Sequence, residues 1–204
     1  NLRGALWQAR QSMGECVRAR GSYVSLAPEV EVDLVEVVGQ AKRLIGPSPE
    51  LREGDTEAEP LRGDLLPAWD EDWILFERER LRQLRVHALE ALCRRLSAVG
   101  RHGEAVDAGQ AAVAAEPLRE SAQRTLIAAH LAEGNLSEAQ RQYDLYRKVL
   151  WEDMALEPSG RLRSMLAGDG RPRDRGPDAN GTGLTWSPVP SGPGFEPQTG
   201  RLAP

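Results

Sequence analysis

The sequence predicts a mainly α fold in which helical hairpins repeat, preceded by one short helix and one β-hairpin. Two observations support this prediction. Apolar residues recur at helical spacing through most of the chain between residues 33 and 166. In addition, the segment 100–105 aligns with the segment 134–139, which begins 34 residues later. A repeat of this length is typical of helical hairpins that stack into a scaffold for binding partners.

The first 26 residues predict a helix followed by a hairpin. Apolar residues at helical spacing predict a helix over 2–13, which ends at Gly14. Two β-prone runs, 16–20 and 23–26, flank the dipeptide Gly21–Ser22, a pattern that predicts a tight turn between two strands. This unit is too short to bury a core by itself. It carries four arginines and one glutamate on a chain of net charge −5. A basic segment on an acidic chain is typical of a nucleic-acid contact.

Six further segments have helical periodicity, and a long loop separates the first two of them. The loop, 46–63, is rich in proline, glycine and acidic residues, and a short helix is expected within it at 49–53. Asp33 is the predicted N-cap of the helix before this loop. The predicted helices span residues 33–45, 73–99, 103–115, 119–133, 136–151 and 158–166.

The longest predicted helix, 73–99, combines an apolar stripe with a cluster of charges. Trp73 and the nearby Trp69 are expected to anchor a turn to the helical core. The clustered arginines lie beside two glutamates, which favours a solvated face with local ion pairs over a DNA contact. These arginines are Arg78, Arg80, Arg82 and Arg85. The stripe that we expect to be buried comprises Trp73, Phe76, Leu81, Leu84, Ala88, Leu92, Leu96 and Val99.

Small residues occupy matching positions in the two repeat units. Ala105 and Ala139 each follow a loop glycine by five positions, where a small side chain lets neighbouring helices approach closely. Tyr143 has the place of an aromatic residue in the second unit, and Gly109 has that place in the first. The pattern resembles a degenerate tetratricopeptide repeat. Beyond residue 166 the periodicity ends, and the composition of residues 167–204 predicts a disordered tail.

No pattern in the sequence predicts catalysis, a cofactor or a metal site. There is no phosphate-binding glycine loop and no nucleophile elbow. The spacing of His87, His102 and His130 suits no metal site, so all three are interpreted as structural or surface residues, with His102 in a loop. Cys93 lies on an apolar helical face and is interpreted as a core residue. No apolar run is long enough to cross a membrane. An enzyme is therefore the least supported class.

Six segments of the sequence together form a combination that is typical of one family. Four lie in the helical part: Arg85–Leu92, Gly100–Ala105, Glu116–Glu120 and Leu156–Ser159. Two lie in the N-terminal unit: Leu2–Trp7 and Arg18–Tyr23. On the first four, residues 27–166 resemble the bacterial transcriptional activator domain. On the last two, residues 1–26 resemble the end of an OmpR-type winged helix, namely its recognition helix and wing. The whole arrangement is similar to the Streptomyces antibiotic regulatory protein family.

The resemblance implies a cytoplasmic transcription factor that binds promoter repeats in DNA and recruits RNA polymerase, often for a secondary-metabolite gene cluster. Residues 1–26 would be the C-terminal part of a winged-helix domain. Residues 27–166 would supply a surface for contacts with RNA polymerase subunits or for a homodimer. The resemblance implies no cofactor and no membrane contact.

The resemblance also identifies candidate DNA-binding residues. Asn1, Arg3, Trp7 and Arg10 would lie on the recognition helix and face base edges and phosphates. Arg18 and Arg20 would lie on the wing and approach the DNA backbone, which would make their contribution dependent on salt. Tyr23 is expected to pack the wing onto its domain. The first strands and first two helices of a winged helix are missing from these residues, so this chain is expected to bind DNA poorly.

Two other functions remain open at this stage. The chain could be a protein-interaction scaffold that does not bind DNA, with the N-terminal helix and hairpin capping the repeats. It could also be the regulatory middle of a larger ATP-driven regulator. The composition of the tail argues against the second alternative, because no nucleotide-binding motif follows residue 166 in this sequence.

Overall fold

The computed structural model describes residues 2–14, 16–48 and 51–167, and within them the predicted mainly α fold is confirmed. Among the helices of these residues, none has the length and apolar character needed to cross a membrane. The predicted disordered tail, apart from residue 167, lies outside the described residues. The elements are α1 (Leu2–Met13), β1 (Val17–Arg20), β2 (Tyr23–Leu26), α2 (Asp33–Ile45), α3 (Asp72–Ala98), α4 (His102–Ala115), α5 (Glu120–Glu133), α6 (Leu136–Met154) and α7 (Gly160–Ala167).

The N-terminal unit is the predicted helix and hairpin. Helix α1 ends at Gly14, whose φ of 70° is a conformation that side chains other than glycine rarely adopt. Strands β1 and β2 are antiparallel, with Val17 opposite Leu26 and Arg20 opposite Tyr23. Gly21 begins the two-residue turn between them with a φ of 57°, which is favourable for the right-handed twist of a hairpin.

The loop after α2 differs from the prediction. Two single 3₁₀ turns, Glu53–Asp55 and Glu59–Leu61, replace the short helix expected at 49–53. Part of that expected helix, residues 49 and 50, lies outside the described residues. The predicted N-cap is also wrong, because Val32 occupies that position and makes no side-chain capping bond. Asp33 is the first helical residue, and its Oδ1 accepts a hydrogen bond from the backbone N–H of Leu34 at 2.7 Å.

The helices α3 to α6 form the two predicted repeat units, and their geometry repeats with the sequence. Gly100 follows α3 with a φ of 78°, and Gly134 follows α5 with a φ of 85°. After each glycine the next backbone N–H bonds back to the matching helix carbonyl: Arg101 to Leu96 at 3.0 Å, and Asn135 to His130 at 2.8 Å. Both helices therefore end in the same glycine-dependent C-terminal motif.

Two apolar clusters form the core. The larger cluster joins α2, α3, α4 and α5 and contains fully buried residues such as Leu44, Leu89 and Leu96. The smaller cluster joins α5 and α6 to α7, around Ile127, Tyr143 and Leu162. Ala105 and Ala139, the matched small residues of the two repeats, are both fully buried. Their predicted role in close helix packing is confirmed.

The predicted buried stripe of α3 is correct only for its middle and later turns. Ile74 is fully buried at the start of the helix, while Trp73 and Phe76 are 54% and 80% exposed. Val99 at the other end is exposed as well. Helical spacing alone does not say how far neighbouring elements extend. At its first turn α3 presents Ile74 to the core and leaves Trp73 and Phe76 in solvent.

The tryptophan pair does not anchor a turn to the core as predicted. Trp69 and Trp73 contact each other edge to face, with ring centroids 6.2 Å apart, and both remain about half exposed. His102 also differs from its predicted place in a loop, because it is the first residue of α4. Cys93 is fully buried, as predicted.

The arginine cluster of α3 divides into two kinds of residue. Arg80 and Arg82 pair with Glu77 and Glu79 on the surface, as predicted. Arg85 is instead buried, and it donates to the carbonyl oxygens of Leu61 at 2.8 Å and Arg62 at 3.1 Å. The prediction of a solvated face was wrong here because backbone carbonyls, together with the carboxylate of Asp64 at 3.0 Å, satisfy the buried guanidinium.

Candidate nucleic-acid interface

Helix α1 presents a solvent-facing aromatic and a solvent-facing cation on one face. Trp7 is 64% exposed and Arg10 is exposed, and their three-residue spacing makes them neighbours on the helix surface. Residue 3 has the position one turn before Trp7, but the side chain of Arg3 lies outside the described residues. Asn1 lies outside them entirely. The described part of α1 therefore brings together two of the four candidates predicted for this helix.

The hairpin has one basic face and one apolar face. Side chains alternate along a strand, so Arg18 and Arg20 project from the same face of β1. They lie opposite Ser25 and Tyr23 in the register of the hairpin. The other face carries Val17, Ala19, Val24 and Leu26, and the two residues of β2 among them are about half exposed.

Tyr23 is exposed on the hairpin, so its expected packing onto a winged-helix domain stays a prediction. Its side chain is 82% exposed and shares the basic face with Arg20, which is its direct cross-strand neighbour. A ring in this position can lie along the arginine side chain or contact a ligand that approaches the basic face. The apolar residues of the opposite face are therefore the ones suited to packing against a neighbouring structure.

Arg18 is held by an acidic residue that follows the hairpin. Its Nη2 donates to both carboxylate oxygens of Glu29, at 2.8 and 3.1 Å. Both side chains are largely exposed, and a pair of this kind contributes about 0–1 kcal/mol to stability. A phosphate could therefore compete with Glu29 for Arg18. Within the described residues, Arg20 forms no ion pair.

Sequence reasoning missed Glu29 as the partner of Arg18. The two residues are 11 positions apart and lie on different elements, so no helical or strand spacing relates them. The only available signal was the presence of an acid soon after a basic hairpin.

The helical unit has packing and ion pairs but no constellation that suits catalysis. The described part of the chain contains no group of three or more histidine, cysteine, aspartate or glutamate residues that could hold a metal ion. Burial raises the pKa of the Cys93 thiol to about 12, which keeps it in its unreactive protonated form at neutral pH. The charged groups that are brought together suit binding to other molecules better than bond making or breaking.

Comparisons with known proteins agree with the fold and with the resemblance seen in the sequence. The model of the family described as "Bacterial transcriptional activator domain" matches residues 39–167. Among solved structures, the chain is similar to Mycobacterium tuberculosis EmbR in complex with a low affinity phosphopeptide. The TM-score is 0.57 at 20% sequence identity, over 81% of this chain. A search of curated proteins found no match.

At 20% identity the likeness to EmbR shows a shared fold, and this chain covers 48% of the length of that structure. The family match has greater weight, because it extends over well over half of the residues and includes both repeat units. The family is one of transcriptional regulators and not of enzymes. The match confirms the resemblance of the helical part to this domain, and the chain therefore belongs to the bacterial transcriptional activator domain family.

Proposed function

We propose that this protein is a DNA-binding transcriptional activator of a biosynthetic gene cluster. The observation that supports this proposal best is the basic N-terminal unit placed directly before the activator domain. Trp7 and Arg10 on α1 and Arg18 and Arg20 on the hairpin are solvent-facing, and we assign them to a recognition helix and a wing. Transcriptional regulation is the activity of the family to which the chain belongs.

In this proposal the two parts of the N-terminal unit bind DNA in different ways. The exposed face of α1 enters the major groove, where an arginine can donate to guanine and an aromatic ring can contact a thymine methyl group. The basic face of the hairpin lies along the phosphates and contributes affinity without reading sequence. The apolar face of the hairpin packs against the body of a DNA-binding domain.

The activator domain, residues 27–166 in this assignment, supplies contacts with other proteins. Stacked helical hairpins present extended surfaces and need no chemistry of their own. We propose RNA polymerase subunits as partners, with a homodimer as a second assembly that the same domain can form. In this proposal the regulator acts in the cytoplasm.

Salt dependence of DNA binding tests the wing. We expect the double substitution Arg18→Ala with Arg20→Ala to reduce the slope of log K against log salt by about 2, since each lost phosphate contact removes about 0.9. The measurement is a fluorescence titration in the protein that carries this chain, with a duplex selected from random sequences by that protein. A matched control replaces Arg161 and Arg163, two exposed arginines of α7, with alanine. An unchanged slope in the wing variant would reject the wing assignment.

One observation favours a protein-interaction scaffold that does not bind DNA. Arg18 is already paired with Glu29, and Val24 and Leu26 offer an exposed apolar surface that suits a protein partner. The two functions differ in the effect of Glu29→Gln, which removes the charge that competes with phosphate. The DNA-binding proposal expects tighter binding by this variant at low salt. If neither the natural protein nor Glu29→Gln binds DNA measurably at low salt, the scaffold function is favoured.

A further inference from the structure

An apolar groove lies between α2 and α3. Leu34 and Val38 of α2 form one wall, Leu81 and Leu84 of α3 form the other, and Leu65 of the connecting loop lies between them. The volume of the groove is about 460 Å³.

Exposed aromatic side chains extend the groove at one end. Trp73 lies one helical turn before Glu77, a residue of the groove, and Phe76 lies beside it. Both aromatic rings are exposed to solvent, and helical spacing places them on the turn of α3 that precedes the groove residues. Large exposed aromatic residues next to an apolar groove are typical of a surface that binds a partner.

Two arginines of α3 hold the loop that forms this end of the groove. Arg85 donates to the carbonyls of Leu61 and Arg62, as described above. Arg78 donates to the carbonyl oxygens of Leu65 and Trp69, both at 2.7 Å. The loop is therefore fixed before anything binds. A partner would lose little free energy in ordering this surface, which favours binding.

The two ends of the groove carry opposite charge. At the aromatic end Glu77 and Arg80 of the groove offset each other as an ion pair, whereas Asp70 and Glu71, just before α3, form no ion pair among the described residues. Lys42 lies at the other end, beside His87. The helices run in the same direction, since Leu34 at the start of α2 lines the groove with Leu81, while Arg95, further along α3, donates to the carbonyl of Gly46 just after α2. Lys42 and the acidic pair are therefore separated along the groove.

We propose that this groove binds an amphipathic helix of a partner protein. The apolar stripe of that helix would fill the space between α2 and α3, in the manner of other helix-in-groove complexes. Its basic end would lie over Asp70 and Glu71, and its acidic end would lie beside Lys42. This inference rests on the proposed role of the helical unit in protein contacts, and it specifies which surface makes the contact and with what chemistry.

Labelled peptides added to the full chain test the proposal. From Trp73 to His87 the groove is about 21 Å long, so a helical peptide of about 15 residues spans it. Two bipolar peptides carry a leucine stripe with lysines in one terminal turn and glutamates in the other, in either order. Control peptides carry lysines at both ends, glutamates at both ends, or serines in place of the stripe. Fluorescence anisotropy measures each affinity.

We expect one bipolar peptide to bind at least about tenfold more tightly than every control peptide. The double substitution Trp73→Ser with Phe76→Ser should weaken that binding by at least about tenfold. Asp70→Asn with Glu71→Gln, which alters only exposed residues, should abolish the preference for the bipolar peptide. The matched control, Trp151→Ser with Leu145→Ser, removes two similarly exposed side chains of α6 and should leave binding unchanged.

Three outcomes would overturn the proposal. They are an affinity for the serine peptide equal to that for the bipolar peptide, affinities that do not depend on the end charges, and a loss of binding in the α6 variant equal to that in the Trp73 and Phe76 variant. Sedimentation adds a fourth. A dimer that dissociates only in the Trp73 and Phe76 variant would show that a second copy occupies the groove. The salt slope of DNA binding is measured separately, so failure of the groove proposal and failure of the DNA-binding proposal can be distinguished.

Discussion

Gly109 of α4 is buried against Leu126 of α5 and Cys93 of α3. A Cβ atom at this position would be 3.2 Å from the Cα of Leu126 and 3.2 Å from the Sγ of Cys93. A backbone atom of a packed helix cannot move aside as the end of a flexible side chain can. Packing therefore favours glycine at this position, although the equivalent residue of the second repeat is the aromatic Tyr143.

The substitution Gly109→Ala is expected to destabilise the protein. Alanine gains up to about 1 kcal/mol of helix propensity over glycine, but overpacking in a core costs about 1–3 kcal/mol. We expect a net loss of about 1 kcal/mol, measured by urea unfolding followed by circular dichroism. The matched control is Gly103→Ala on the same helix, where an added Cβ meets nothing within 4 Å. A Gly109→Ala protein that is as stable as the control would show that α5 can shift to admit the methyl group.

At the scale of elements, α2 is tied to the loop after it by a buried carboxylate. Asp55 is 3% exposed and accepts hydrogen bonds from Arg43 of α2, with Nη2 at 2.6 Å and Nε at 3.0 Å from its Oδ1. Gln40 of the same helix donates to the carbonyl of Glu57 at 2.9 Å. The hydrogen bond from Arg43 holds the pKa of Asp55 below its ordinary range.

The lowered pKa of Asp55 predicts a loss of stability in acid. The unfolded chain takes up a proton at Asp55 at a higher pH than the folded chain does. The contribution to stability is therefore complete above the ordinary aspartate pKa, near 4, and is lost as the pH falls through the folded value. We expect Asp55→Asn to be less stable than the natural protein at pH 7. Between pH 7 and pH 3 the variant should lose less stability than the natural protein does.

Urea midpoints at the two pH values measure this effect of Asp55. Asp153→Asn, which removes an exposed carboxylate of α6, is the matched control. Equal acid sensitivity in Asp55→Asn and the natural protein would contradict the role assigned to the contact between Asp55 and Arg43.

The elements were predictable where one periodic pattern determines them. The helices, the hairpin and the repeat all follow from local spacing, and so does the shared face of Arg18 and Arg20. The contacts of Arg85 and Arg78 were not predictable, because most of their acceptors are backbone carbonyls of the loop before α3, which leave no pattern in the sequence. The exposure of Trp73 and Phe76 was not predictable for a related reason. Apolar spacing identifies a face of a helix but not the neighbour that covers it.

At the scale of the whole molecule, Cys93 reports on the larger apolar cluster. Its thiol is fully buried on α3, close to Gly109 of α4 and 3.7 Å from the carbonyl oxygen of Thr125 on α5. Three helices must therefore separate before water reaches it. Burial raises the pKa of this thiol from 9.0 to about 12, because a thiolate would lose its hydration among apolar side chains.

This shift predicts that alkaline pH destabilises the fold through Cys93. Between pH 9 and 12 the unfolded chain loses the thiol proton and the folded chain retains it, so stability falls by about 1.4 kcal/mol per pH unit. In Cys93→Ala the slope should be smaller, although the protein should be less stable at pH 7. Burial also raises the pKa of Tyr146, but both proteins retain that residue, so the difference between their slopes isolates Cys93. Urea unfolding at pH 8, 9.5 and 10.5 measures the slopes, and parallel slopes would mean that the helices open to water without global unfolding.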